Sequence, residues 1–382
     1  MGFRSRTGSI LLPTLFVMLL LSVSLATLVN LKAGRSATEK RSLSLFPQLT
    51  LDREGLVTFP GRFEQFFNDR FGFREQLVYL NSRLRVTLLR TSPIDKVVVG
   101  QNGWLFYADE RALSPDPLIP GLLELWRVAL EAKQAWLAAQ GIEYVYMVVP
   151  DKHTLYPEFL PLGRRPNGNP TNLDLLLDYL KRTSTVRVLD VRTQLFAAKA
   201  SAPVYYQTDT HWNRFGAAVA NHVLLSRLSG KLPAIGFDKF IPRPVKISPI
   251  KGRDMAAMLL LQNLMTDKEV DPGIAADTAR FIVNEEQTPD GLLLSVSTNQ
   301  NGKLPTAVVF HDSYFDNMKP YFAECFARSV MVGGNRIHKF EPDIIGREHP
   351  QVVVEEIVER YLTGSPYVPK QILDWHTRNS GK

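Results

Sequence analysis

The sequence predicts an α/β protein: a mainly parallel sheet flanked by helices, behind an N-terminal membrane anchor helix. Three observations carry the prediction. The apolar runs Tyr144 to Val149, Thr306 to Phe310 and Val352 to Val354 are short and unbroken, as expected of strands covered on both faces. Helical periodicity separates them, the order expected of a parallel sheet built from crossovers. A chain of 382 residues with 45% hydrophobic content can fill one large domain with appendages. No internal repeat or low-complexity tract is present.

From Ile10 to Leu31 no charged residue occurs, and roughly 20 apolar residues suffice to cross a bilayer. The favoured reading is an uncleaved signal anchor; the other is a cleaved leader, with Ser24-Leu25-Ala26 as the processing site. Pro60-Gly61 opens a helical pattern in which Phe63, Phe66, Phe67, Leu77, Leu80 and Leu84 recur, interrupted at Gly72. Val97-Val98-Val99 and Trp104 to Tyr107 flank Asn102-Gly103, a strong hairpin signal, expected as a packed lid or sheet edge. Leu122 to Trp136 makes a helix closed by Gly141 and leads into the strand ending at Val149. A helix at Leu173 to Leu180 precedes a strand at Val186 to Leu189. Asn213 is placed to cap the helix carrying Ala217 to Leu228. Strands recur at Phe281 to Val283, Leu292 to Val296 and Thr306 to Phe310. The β-branched run at Val352 favours strand, with helix as the alternative. The organisation expected is an anchor and basic stretch over 1–45, then one domain over 46–382 with an insertion near 233–289.

The net charge of +7 is concentrated at the N-terminus. Arg4, Arg6, Lys32, Arg35, Lys40 and Arg41 stand against Glu39 alone, so those residues hold +5 and the remainder +2. That distribution gives nucleic-acid binding little support and assigns the excess to the membrane-proximal end. The single cysteine, Cys325, excludes an internal disulfide and lies on an aromatic stripe with Tyr321 and Phe322, as core packing does.

Two polar signatures carry the chemistry. Thr208-Asp209-Thr210-His211-Trp212-Asn213 comes first, and His311-Asp312-Ser313-Tyr314 follows directly behind the strand Ala307 to Phe310. Together they supply an acid, an imidazole and a hydroxyl, the groups that activate a serine nucleophile. Residues two apart in extended backbone point to one side, so Asp209 can hold one nitrogen of His211 while the other faces a hydroxyl. The Ser313 amide, at the turn after a strand, can serve a developing oxyanion. Simpler readings stand beside these: Ser313 as a turn or cap residue, and Asp209–His211 as a pair tying a loop to the next helix. A metal site drawing on Asp209, His211, His311 and Asp312 is the weaker rival, since no helical His pair or cysteine cluster accompanies it. Lys152 and Tyr156, behind the strand ending at Val149, are candidates to line a substrate groove, as are Trp212 and Tyr314. His153 is the second-choice imidazole.

These residues resemble the periplasmic alginate O-acetyltransferases of the AlgJ/AlgX type, whose domain is SGNH-hydrolase-like. The resemblance runs from about Phe59 to Leu362. It includes Phe59-Pro60-Gly61-Arg62-Phe63-Glu64, Asp69 to Arg74, Val99 to Phe106, Val149-Pro150-Asp151-Lys152-His153 with Tyr156-Pro157, both signatures, and Glu355 to Arg360. It implies Ser313 as nucleophile, His211 as general base and Asp209 as its partner, with no cofactor and no metal. The Asp–His block precedes the serine, the reverse of ordinary SGNH enzymes, and His311 stands where many have glycine. The resemblance further implies acetyl transfer to a hydroxyl of an exported polysaccharide through an acetyl-serine, with a membrane-bound O-acyltransferase as donor partner. It places the chain in the inner membrane through residues 10–31, with its catalytic domain in the periplasm. A carbohydrate acetylesterase and a non-catalytic polysaccharide-binding component are the alternatives.

Overall fold

The computed structural model describes residues 6–30, 42–108, 118–164, 168–274, 281–288, 292–333 and 340–379. The flanking charges Arg4, Lys32, Arg35, Glu39, Lys40 and Arg41, and Pro289 at the end of the expected insertion, lie outside the described residues. The chain divides into two compact units, Met1–Ile94 with Ala257–Asn263, and Asp95–Ala256 with Leu264–Lys382.

The first unit holds α1 (Arg6–Asn30), α2 (Arg53–Arg70) and α3 (Arg74–Leu84), the last running into a π-helical turn over Arg85–Leu89. Within α1, Leu11–Val29 has a mean hydropathy of 2.3. The α2 helix starts seven residues before Pro60, where the sequence pattern suggested its beginning. The reason is Asp52, whose carboxylate accepts the Gly55 N–H at 2.9 Å and caps the helix, leaving Pro60 inside it. The break at Gly72 is as expected. A Cβ there would stand 2.4 Å from the Val23 carbonyl oxygen and 2.8 Å from Ala26 Cβ, so only glycine lets the turn meet α1.

In the second unit, β1 (Val97–Val99) and β2 (Leu105–Tyr107) form an antiparallel pair of their own, turned by Asn102 and Gly103 at φ of 53° and 80°. Then come α4 (Pro120–Ala138), β3 (Glu143–Val149), α5 (Lys152–Leu155), α6 (Asn172–Thr183), β4 (Val188–Asp190), α7 (Arg192–Lys199) and α8 (Arg214–Ser229). Next are β5 (Lys246–Lys251), α9 (Asp254–Met258, whose last two residues are counted with the first unit), β6 (Thr266–Asp271), β7 (Phe281–Gln287), β8 (Leu293–Asn299) and β9 (Thr306–Phe310). The chain closes with α10 (Lys319–Ala323), β10 (Arg328–Gly333), α11 (Pro342–Glu348), β11 (Val352–Val358) and α12 (Lys370–Asn379).

Seven strands make the main sheet in the order β4-β3-β11-β9-β10-β8-β7. The first five run parallel; β8 and β7 are antiparallel additions at the far end, so the sheet is mixed. The Val352 run resolves as strand, and a central one: Val354 pairs with Val145 of β3 and Val309 of β9. Of the 233–289 region, β5 and β6 pair outside this sheet, whereas β7 is its edge.

Alternation across the pleat divides the core. Val145, Met147, Val309 and Val354 point to a layer containing Trp212, Phe215, Leu224, Phe315 and Phe322. Tyr146 and Val148 point to the other face with Trp126, Leu130 and Leu176, as do Val308 and Val353 with Leu137, Ile345 and Ile372. Both faces are thus covered, and polar side chains at the carboxyl ends of β3, β9 and β11 are left to converge.

Candidate active site

Ser313 lies three residues beyond β9, in a turn fixed by Asp312. One Asp312 oxygen accepts the Tyr314 N–H and the other the Val358 N–H, each at 2.8 Å. The Asp312 N–H donates in turn to Glu356 Oε2 at 3.2 Å. Burial pushes both carboxyls up, Glu356 well above the usual range with the neighbouring Asp312 charge adding to it. Both Asp312 oxygens are taken by amides, which favours its charged form against the burial. The turn leaves the Ser313 side chain exposed, and its amide has no acceptor among the described residues.

The Asp209–His211 loop is set between Tyr205 and Trp212, which pair as an isolated antiparallel bridge. Beyond it Asn213 caps α8, its side chain accepting the Gly216 N–H at 2.9 Å. The base of the loop is held by Asp267, whose carboxylate accepts the N–H groups of Gln207 at 3.0 Å and Thr208 at 2.7 Å. Its tip is joined to the serine turn: the Tyr314 hydroxyl donates to the Thr210 carbonyl at 2.7 Å, and Trp212 Nε1 to the Tyr314 carbonyl at 2.8 Å.

These constraints bring the three groups into one line. Asp209 Oδ1 lies 2.7 Å from His211 Nδ1, and His211 Nε2 lies 2.8 Å from Ser313 Oγ. With Asp209 accepting the Nδ1 proton, Nε2 is free to accept from the serine hydroxyl. The other Asp209 oxygen accepts from Arg253 Nε at 3.0 Å. Burial works to raise the Asp209 carboxyl, but His211 and Arg253 outweigh it and hold the group well below the usual carboxylate range.

The expected groove residues stand elsewhere. Lys152 is buried, with its ammonium donating to the carbonyls of Tyr206 and Gln207 at 3.1 Å and of Asp209 at 2.6 Å. Its Nζ also sits over the rings of Trp104 and Phe106, and burial pushes its pKa down to about 7. Tyr156 is buried against Trp104, its hydroxyl accepting the Val204 N–H at 2.9 Å. Trp212 and Tyr314 are buried in the joint described above. All four thus brace the site from beneath, because each long side chain has a polar tip that backbone groups satisfy.

His311 does not enter the line. Its Nδ1 lies 2.6 Å from the Asp312 carbonyl oxygen, and its ring turns toward Gly333, where a Cβ would stand 2.7 Å away. Burial, with Lys319 nearby, pushes it down to about 4. His153, in α5, is not among the groups that meet Ser313. Among the described residues no group of three or more His, Cys, Asp or Glu is placed to hold a metal ion, and Cys325 is buried in the core. Sequence reasoning missed Arg253 and Asp267, and named Glu356 only within the closing stretch of the resemblance, with no role. Its signal is the pair of carboxyls, Glu355 and Glu356, inside an otherwise apolar strand.

A family model described as "SGNH hydrolase-like domain, acetyltransferase AlgX" matches residues 97–301, more than half of the chain. The chain belongs to this family. The matched stretch of the AlgX acetyltransferase family contains Asp209 and His211 and ends before Ser313. A "Probable alginate O-acetylase AlgJ" of Pseudomonas fluorescens is 33% identical over 285 residues, covering 70% of this chain and 68% of the relative. The Pseudomonas aeruginosa protein of the same description is 31% identical over 300 residues, 73% of each chain. The solved O-acetyltransferase domain of Pseudomonas putida AlgJ superimposes with a TM-score of 0.51 at 23% identity, over 74% of this chain and 99% of that one. Bacillus cereus PatB1 gives 0.53 at 14% identity, over 71% and 98%. At such identities these structures establish the shared fold: an SGNH-like sheet with flanking helices.

Proposed function

We propose that this protein is a polysaccharide O-acetyltransferase in which Ser313 is the nucleophile, His211 the general acid–base and Asp209 its orienting partner. The observation that carries the reading is the unbroken relay from Asp209 through His211 to Ser313, at 2.7 and 2.8 Å. Family membership and the alginate O-acetylase relatives support acetyl transfer as its use.

In the first half-reaction Ser313 Oγ bonds to the acetyl carbonyl carbon while its proton passes to His211 Nε2. The bond to the donor's leaving oxygen breaks, and that oxygen takes the proton from His211. In the second half, a sugar hydroxyl gives its proton to His211 and attacks the acetyl carbon. The Ser313 ester bond breaks and Oγ recovers the proton. The Ser313 N–H is the donor offered to the oxyanion in both halves, and the ionised Asp209 stabilises the imidazolium between them. The acceptor is an exported polysaccharide, alginate or a similar glycan. The donor is a membrane-bound O-acyltransferase, reached because α1 anchors the chain in the inner membrane with the catalytic domain in the periplasm.

The test is turnover of a chromogenic acetyl ester with and without a mannuronate oligosaccharide. The wild type should yield acetylated sugar and an acetyl group on Ser313 by mass spectrometry. Ser313→Ala should abolish both, losing on the order of 10³-fold or more in rate. Ester turnover that never acetylates the sugar would make the protein an esterase. An active Ser313→Ala variant would end the serine mechanism altogether.

A further inference from the structure

The α2–α3 elbow presents an apolar stripe that nothing in the catalytic reading uses. Leu77, Leu80 and Leu84 follow at steps of three and four, which places them on one face of α3, with Phe73 at its N-cap and Leu88 in the π-helical turn beyond. They are 41–71% exposed, and the only buried residue of α3 is Ser82. A water-facing helix would carry charge on such a face; here the charge lies beside it, in the exposed Arg83 and Arg90 and the half-buried Arg85.

The elbow's place against α1 says what covers this stripe. The Gly72 N–H donates to Thr27 Oγ1 at 2.9 Å, and the Gly72 backbone fits against Val23 and Ala26. All three partners belong to the apolar segment Leu11–Val29. At a rise of about 1.5 Å per residue, they lie roughly 3–9 Å inside its Val29 end. An amphipathic helix in the interfacial layer sinks by about 5–10 Å, the same depth.

We propose that the α2–α3 elbow lies in the interfacial layer of the bilayer that α1 crosses, with the Phe73–Leu88 stripe among the upper acyl chains and the three arginines at anionic lipid phosphates. The occupant is lipid because the turn that leads into the stripe is itself seated on the apolar segment, through Gly72 against Val23, Ala26 and Thr27. This rests on the reading of α1 as a membrane span. In that position the elbow makes a second attachment, so that the chain is held to the surface by more than one helix.

The full chain, carrying Cys325→Ala so that the buried thiol takes no label, is reconstituted in nanodiscs containing phosphatidylglycerol. A fluorophore is placed singly at Leu20→Cys, Leu80→Cys, Leu88→Cys and the exposed apolar control Leu162→Cys. Nitroxide lipids, labelled shallow or deep along the acyl chain, serve as quenchers. The expected result is quenching by about half or more at Leu20 by deep lipids and at Leu80 and Leu88 by shallow ones, with Leu162 unaffected. Quenching at Leu20 without any at Leu80 and Leu88 would overturn the elbow's place while leaving the anchor intact, and would hand the stripe to a protein partner. Quenching at Leu162 equal to that at Leu80 would overturn it too. No quenching at Leu20 would remove the anchor and this inference together.

Discussion

Lys152 separates two roles that the sequence could not distinguish. A lysine behind a strand end suits a polysaccharide groove, but here its ammonium is enclosed by three carbonyls and two aromatic faces. One of those carbonyls belongs to Asp209, so the lysine fixes the loop that aims His211 at Ser313. Lys152→Met should therefore lower kcat by about 10- to 100-fold through misalignment, with KM for the acceptor nearly unchanged. It should also cost about 1–3 kcal/mol of stability, since the carbonyls lose their donor. Steady-state kinetics and thermal melts check both; a raised KM at unchanged kcat would return the lysine to the groove. The proposed catalytic residues were legible because Thr208 to Asn213 and His311 to Tyr314 are contiguous strings whose local geometry already sets their directions. Lys152, Tyr156, Trp212 and Tyr314 were legible as site residues but not in role, because burial depends on what packs over them. Arg253 left no trace, since its partner Asp209 is distant in the chain and neither neighbour of Arg253 marks it.

At the scale of the element, β11 does more than complete the sheet. Its run Val352-Val353-Val354-Glu355-Glu356-Ile357-Val358 is buried throughout, which forces two adjacent carboxyls under opposite faces. Glu355 is answered by Lys133 of α4 at 2.8 Å. Glu356 has no cation partner among the described residues; it accepts from the Asp312 N–H behind the serine turn, and burial with the Asp312 charge beside it pushes its carboxyl well above the usual range. An acid whose folded pKa is raised binds a proton that the unfolded chain gives up. Its contribution is therefore favourable at low pH and erodes as pH rises above the unfolded value, about 4.3, by up to about 1.4 kcal/mol per pH unit. Glu356→Gln keeps the shape without the proton. Its melting temperature should exceed the wild type's at pH 8, and the advantage should vanish near pH 4. A variant less stable at both pH values would mean that the carboxyl is ionised after all. The central place of β11 was legible in its β-branched content. The direction of β8 and β7 was not, because strand polarity depends on where the chain re-enters the sheet, and short apolar runs carry no mark of it.

For the whole molecule, the decisive question is whether α1 stays attached. Composition left two outcomes, an anchor or a leader cut near Ser24-Leu25-Ala26, and the local residues suit both. The packing favours the first. Ala26 and Thr27 are seated on the Gly72 turn, where a Cβ would stand 2.4 Å from the Val23 carbonyl oxygen and 2.8 Å from Ala26 Cβ. Cutting after Ala26 would leave the Gly72 backbone without the Val23 and Ala26 atoms that stand against it. Family membership does not decide the matter, since the matched stretch begins at residue 97. Intact mass of the protein recovered from membranes should include residues 1–26, and alkaline carbonate should fail to extract it. Replacing Leu15 and Leu19 by arginine places two charges in mid-span at about 2.5–3.5 kcal/mol each. That variant should lose its bilayer-spanning attachment and become extractable by alkaline carbonate, and polymer acetylation in cells should fall with it. Turnover of a soluble acetyl ester by the same variant should persist, because Asp209, His211 and Ser313 belong to the other compact unit. A mature N-terminus at Thr27 would instead make α1 a transient export signal, and attachment would then have to come from a partner.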